Sequence, residues 1–237
     1  MALPKMNAPL YNVTIPSTKK EVKFRPFLVK EEKSLLLAQQ SEDTKVMINT
    51  LKGIIESCIV DDIDPDKLAI FDYEYLFTQI RAKSVGENVE LMFLCDDCDD
   101  ENAKKLINLD ITKFQVDFPE GHTNKIELFD DVGIMMKNPS IDTLDKLEKL
   151  IDGDVNSIFQ VVSECIESIY TTEEVFNVKE QTKEEVIEFL ENLTQEQFKK
   201  IEQFFLTMPK LQQTVEYDCP VCAKHHVKSM EGLASFF

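Results

Sequence analysis

The chain opens with alternating apolar and polar positions: Leu10, Tyr11, Val13 and Ile15 lead to Pro16-Ser17, and Val22, Lys23, Phe24 and Arg25 follow. A period of two broken by a proline turn predicts a β-hairpin. The period then lengthens. Leu35, Leu36 and Leu37 sit among charges over 31–40, and Val46, Ile48, Leu51, Ile54, Ile55 and Cys58 recur at helical spacing, so two helices are expected. Asp64-Pro65 has the form of an N-cap and a first helical residue, which predicts a third helix from Pro65 through Leu68, Phe71, Tyr75, Leu76 and Ile80 to about Lys83.

From Val85 the chain reads as strand, with Val89, Leu91 and Phe93 alternating against Glu90, Met92 and Leu94, and with Leu106, Ile107, Leu109 and Ile111 as the return. The runs 126–129 and 132–136 suggest another hairpin. After Asn138-Pro139 helices are expected over 144–151 and 155–169. Thr182 with Glu185 and Thr194 with Gln197 are capping-box pairs, whose side chains satisfy free backbone donors at a helix start. The helix opened by Thr194 should stop near Pro209, and strands at 212–217 and 226–228 follow. The fold class is α+β, a mainly helical body with β-hairpins. Four regions are expected: 1–84, a hairpin and helices; 85–137, β-rich; 138–210, helical; and 211–237, packing with 85–111.

Hydrophobic residues make up 43% of the 237 positions and charged residues 30%, the range of an ordered soluble protein. The net charge of −18 repels phosphate, so no nucleic-acid partner is expected. Lys19, Lys20, Lys23 and Arg25 read as the solvated face of the first hairpin. No run approaches the roughly 18 apolar residues of a membrane span, and the N-terminus lacks a signal peptide's apolar stretch, so a cytoplasmic setting is expected. In a reducing compartment, CxxC pairs are metal or redox sites before they are disulfides.

Two such pairs are present, Cys95/Cys98 and Cys219/Cys222, each between strands. A CxxC knuckle supplies two thiolates from one tight turn, and two knuckles complete the tetrahedral shell of a structural Zn2+. With 120 residues between Cys98 and Cys219, the zinc ribbon must be split around an insert. A redox role fits poorly, because neither pair opens a helix and Asp96, Asp97, Asp99 and Asp100 crowd the first with negative charge. His225 or His226 could substitute as a ligand, but four cysteines already fill the shell. Cys58 and Cys165 lie on apolar helix faces and read as core residues. Asp62, Asp64 and Asp66 imitate half of a calcium loop, yet Lys67 stands where its turn glycine belongs. No HExxH, GxSxG or phosphate-binding loop occurs, so no enzyme is expected.

Two stretches carry a resemblance: Phe24-Arg25-Pro26-Phe27-Leu28-Val29-Lys30-Glu31-Glu32-Lys33, and Asp72-Tyr73-Glu74-Tyr75-Leu76-Phe77 with Ile80-Arg81-Ala82-Lys83-Ser84-Val85-Gly86. Together they resemble the baseplate hub and hub-assembly proteins of T4-like contractile-tailed phages, well over the first 95 residues and in general layout beyond. The resemblance implies a hub subunit or an assembly chaperone whose partners are other baseplate hub and tail proteins, in the host cytoplasm during assembly or in the virion. In the first stretch Arg25-Pro26 should end a strand and 30–33 should give a helix its charged outer face; in the second Leu76 and Ile80 should point inward. Arg25, Arg81 and Lys83 stand out as positive groups in an acidic chain and are the expected partner contacts. A host-directed zinc-ribbon adaptor, its acidic surface mimicking nucleic acid, is the competing reading.

Overall fold

The structure, a computed structural model, describes residues 8–41, 43–98, 100–143 and 155–232, and among these the chain makes six helices and eleven strands. They gather into two units, one drawn from residues 1–65, 71–117 and 210–237, the other from 66–70 and 118–209.

In the first unit β1 (Tyr11–Thr14) and β2 (Glu21–Phe24) pair antiparallel with Val13 opposite Val22. The alternation buries Val13, Ile15, Val22 and Phe24 and turns Lys23 to solvent. Helix α1 (Val29–Ser41) buries Glu31 and Ala38 and leaves Leu36 and Leu37 exposed. Helix α2 (Thr44–Cys58) starts on Asp43, whose carboxylate accepts the N–H groups of Lys45 and Val46 at 2.8 and 3.3 Å. It buries Ile48, Leu51, Ile54, Ile55 and Cys58 of the stripe its spacing predicts, and leaves Val46, at its first turn, exposed.

The third helix begins later than its sequence suggests. Pro65–Lys67 is a separate 3-10 turn, and α3 spans Ile70–Ser84. Between them Ala69 forms an antiparallel bridge with Ser140, an extended conformation that a continuous helix cannot include. Leu76 and Ile80 of α3 are fully buried.

Strands β3 (Asn88–Leu94) and β4 (Lys104–Asp110) form one hairpin. A second is formed by β10 (Lys210–Asp218) and β11 (His225–Glu231), with the short β5 (Gln115–Asp117) on the far side of β10. Phe93 and Leu109 from one hairpin and Leu211, Val215 and Tyr217 from the other share a buried cluster with Phe114. At roughly 25 cal/mol per Å² of apolar surface, six such side chains are enough to hold two hairpins together.

The second unit carries a four-stranded antiparallel sheet of β6 (Lys125–Phe129), β7 (Val132–Met136), β8 (Ile166–Tyr170) and β9 (Val175–Asn177). Helices α4 (Val155–Cys165), α5 (Lys183–Glu191) and α6 (Gln195–Thr207) complete it. Leu128, Ile134, Val161, Leu190 and Ile201 meet in its core. Both capping boxes form, Thr182 with Glu185 and Thr194 with Gln197, and α6 ends before Pro209.

The helix expected over 155–169 stops at Cys165. Ile166 pairs with Met136 and Ile169 with Ile134, so cross-strand pairing and the β-branched side chains take the segment into the sheet. The helix expected over 144–151 lies outside the described residues.

Within this sheet Gly133 lies opposite Tyr170. A Cβ on Gly133 would run into the Tyr170 ring and stand 2.7 Å from the Ile126 carbonyl oxygen, within a paired ladder that cannot give way. Gly133→Ala is therefore expected to destabilise the second unit by about 1–3 kcal/mol. The measurement is the urea midpoint followed by circular dichroism; a midpoint equal to wild type would refute the clash.

Candidate metal centre

Cys95 and Cys98 lie in the connection between β3 and β4, and Cys219 and Cys222 in the connection between β10 and β11. The shared core of the two hairpins sets these tips side by side. All four Sγ atoms lie within 4.8 Å of one another. Across the hairpins Cys95 and Cys222 are 3.8 Å apart, and Cys98 and Cys219 are 3.7 Å apart. Cys95 and Cys219 are buried, Cys98 is half-buried and Cys222 exposed.

Each knuckle is built by its own backbone. The N–H of Cys95 donates to the Ala103 carbonyl at 3.1 Å, and that of Cys219 to Lys224 at 2.9 Å, closing both loops. The second loop turns through Ala223 in the left-handed region, at φ 57°. Further N–H groups point at sulfur: Asp97 to Cys95 at 3.4 Å, and Val221 and Cys222 to Cys219 at 3.4 and 3.5 Å. The Cys222 N–H, helped by that of Val221, outweighs burial and brings the Cys219 thiol down to about 7. The Cys95 side chain, burial and the Cys219 side chain drive Cys98 far above the ordinary thiol range. Four thiolates this close cannot all be ionised alone, whereas a cation among them favours the charged form of each. The cluster can hold one metal ion.

The acidic residues of the first knuckle do not stand free. Asp96 pairs with Lys228 at 2.8 Å, and Asp97 pairs with Lys224. These exposed pairs span the two tips but contribute little energy. His226 is buried, with Nε2 3.2 Å from the Cys95 sulfur, while His225 is exposed against Asp218. Strand parity separates the two histidines that the sequence offered as substitute ligands, because His226 faces Tyr217 on the buried side of β10. Cys58 and Cys165 lie in α2 and α4 and are not members of the cluster, and burial raises the Cys58 thiol and pushes Cys165 up to about 12, leaving both inert.

The three cations singled out in the sequence occupy different settings. Arg25 turns inward, its guanidinium 2.9 Å from the carboxylate of Glu31. That carboxylate also accepts the Leu28 N–H at 2.8 Å, so Glu31 folds back onto the residue preceding its helix instead of joining a charged outer face. Arg81 is half-buried, and its Nη1 has no hydrogen-bond partner among the described residues. Lys83 is exposed, 2.6 Å from Glu87 and 5.7 Å above the Tyr11 ring. The two stretches that carry these residues meet where the Phe27 N–H donates to Ser84 Oγ at 2.9 Å. Around that bond Leu28, Val29 and Val85 are exposed and rim a shallow groove. Buried Asp72 accepts the Ser17 N–H at 2.9 Å and so ties the first hairpin's turn to α3.

Two units, several small sheets and a four-cysteine cluster between hairpin tips define an α+β protein with a metal-capable clasp. The chain belongs to the T4 bacteriophage base plate protein family, whose model matches residues 8–237. The baseplate hub assembly protein gp26 of Enterobacteria phage T4 is 25% identical over 219 residues, which cover 92% of this chain and 93% of that protein. No solved structure matches the chain.

The Glu31 pair has a pH signature. Burial alone would raise its pKa, but the Arg25 guanidinium, the Leu28 N–H and Lys30 outweigh it and lower the carboxyl from 4.5 to about 2. A depressed folded-state pKa adds stability that is present above 4.5 and lost as pH falls through about 2. The stability difference between wild type and Glu31→Gln should therefore shrink from about 3 kcal/mol at pH 7 towards zero near pH 2. Denaturant unfolding of both proteins across this range measures it; a constant difference would refute the assignment.

Proposed function

We propose that this protein is a non-catalytic structural or assembly component of a contractile-tailed phage baseplate hub, acting by binding other hub and tail proteins. The observation that carries the reading is the family match over residues 8–237, together with a relative of nearly equal extent that is itself a baseplate hub assembly protein. It acts in the host cytoplasm during assembly, or in the virion baseplate if it stays. No helix among the described residues is long and apolar enough to cross a membrane. The net charge of −18 supports protein partners over nucleic acid. No observation favours the host-directed adaptor.

Cys95, Cys98, Cys219 and Cys222 bind one structural Zn2+, making the two hairpins a split zinc-ribbon module in which 211–237 packs with 85–111. Sulfurs at about 2.3 Å from a tetrahedral zinc are about 3.8 Å apart, and the cross-hairpin separations of 3.8 and 3.7 Å agree with that geometry. A shell of four thiolates leaves no position for substrate or activated water, so the metal is a clasp. The partner surface is the exposed groove where the family-like stretches meet. Lys83, next to Ser84 of the groove in the chain, is a partner contact there with Leu28, Val29 and Val85, and Arg25 and Arg81 are the further contacts from the same two stretches.

Purified protein should contain about one zinc per chain, and Cys95→Ser with Cys219→Ser should abolish it. Structural zinc supplies on the order of 10 kcal/mol, so the double variant should lose the hairpins to protease while much of the helical signal persists, and should associate less with co-expressed hub and tail proteins. Wild-type protein free of metal after purification without chelators would sink the zinc site. Failure to associate with any hub or tail protein would sink the baseplate role.

A further inference from the structure

The two knuckles treat their first cysteines differently. Cys219 accepts two backbone N–H groups of its own loop, from Val221 and Cys222. Cys95, at the equivalent place in the other knuckle, accepts the backbone N–H of Asp97, and its other close nitrogen belongs to a side chain 131 residues away: Nε2 of His226, at 3.2 Å. That imidazole is not there by chance of exposure. It is 8% exposed and lies on the Tyr217 ring, with centroids 5.0 Å apart and planes 19° from parallel. Tyr217 is in turn fixed by its hydroxyl, which donates to the Leu94 carbonyl at 2.9 Å. Leu94 immediately precedes Cys95, so one rigid stack positions the imidazole against the sulfur.

The neighbours of Nε2 determine what it does. A thiolate can only accept, and the other group near this nitrogen is also an acceptor, a carboxylate oxygen of Asp97 at 3.8 Å. We propose that His226 is a positioning residue of the metal centre: its Nε2–H donates a hydrogen bond to the Cys95 thiolate, taking the place of the second backbone donor that Cys219 receives. The inference rests on the reading of the cluster as a metal site. Four thiolates on a divalent cation leave a net charge of −2 in a chain that already carries −18. Each N–H directed at sulfur withdraws part of that charge and holds the ligand in place, which is how groups outside the coordination shell tune a metal.

Cobalt tests this, because a four-thiolate Co2+ site absorbs through sulfur-to-metal charge transfer. His226→Phe keeps a ring on Tyr217 but removes the donor, whereas His226→Gln keeps an N–H. The phenylalanine variant should bind Co2+ about 10–100-fold more weakly in chelator competition and absorb at longer wavelength, since its sulfur is more electron-rich. The glutamine variant should recover both properties towards wild type. Equal affinity and an unshifted band in His226→Phe would overturn the inference while leaving the metal site intact. Wild-type protein that binds no Co2+ would instead overturn the metal reading and this inference with it. If the phenylalanine variant fails to fold, wild-type protein loaded with 113Cd decides: scalar coupling between the His226 Hε2 proton and cadmium supports the bond, and a nitrogen that is unprotonated or bound to the metal refutes it.

Discussion

Lys210 lies opposite Asp117 and Gln212 opposite Gln115, so the strand that leaves the first unit is hydrogen-bonded to the strand that returns to it. This three-residue pairing sets the position of everything beyond it. From β10 the register passes to β11, and through Leu211, Val215 and Tyr217 to the inner face of the β3–β4 hairpin. The Phe93 and Tyr217 rings meet at 5.3 Å immediately below the cysteines. A slip of one residue in β10 would turn Val215 and Tyr217 outward and carry Cys219 away from Cys98. The cluster is thus the last consequence of a register set some eight residues earlier.

Charge is distributed with the same economy. The chain has 26 lysines and arginines against 44 acids, and several of the cations serve internal contacts. Lys200 donates to the carbonyls of Glu127 and Leu128, Lys224 and Lys228 span the two hairpin tips, and Arg25 is joined to Glu31. These contacts are unequal. The exposed pairs contribute little, whereas the Arg25–Glu31 pair holds a charge that burial would otherwise neutralise, and loss of one partner leaves the other stranded. Much of the remaining acid among the described residues faces solvent.

What could be read in the sequence was what local chemistry decides. Capping boxes at Thr182 and Thr194 involve four consecutive residues each, and a CxxC pair between strand-like runs declares its turn without reference to the rest of the chain. The alternation of Val89, Leu91 and Phe93 located β3 for the same reason. The misreadings fall where a distant partner overrides the local signal. Ala69 is drawn from a helix by Ser140, and Ile166 by Met136. The three-residue strands β5 and β9 have no pattern of their own and exist through their neighbours. Glu31 looked like surface because a carboxylate among lysines usually is; its burial depends on Arg25 in the preceding strand segment. The role of His226 was hidden for a related reason, since the pairing that faces it toward Tyr217 has to be known first.

Cys98 and Cys219 are separated by 121 positions. On the ribosome the first knuckle must therefore wait for its counterpart, and at about 5–20 residues per second the delay is on the order of 10 s. Meanwhile all of β6 to β9 and α4 to α6 is synthesised, and elements of that size fold faster than this. The β3–β4 hairpin meanwhile offers two thiols and an incomplete apolar face. Vectorial synthesis thus gives the inserted unit time to fold before the second knuckle has been made.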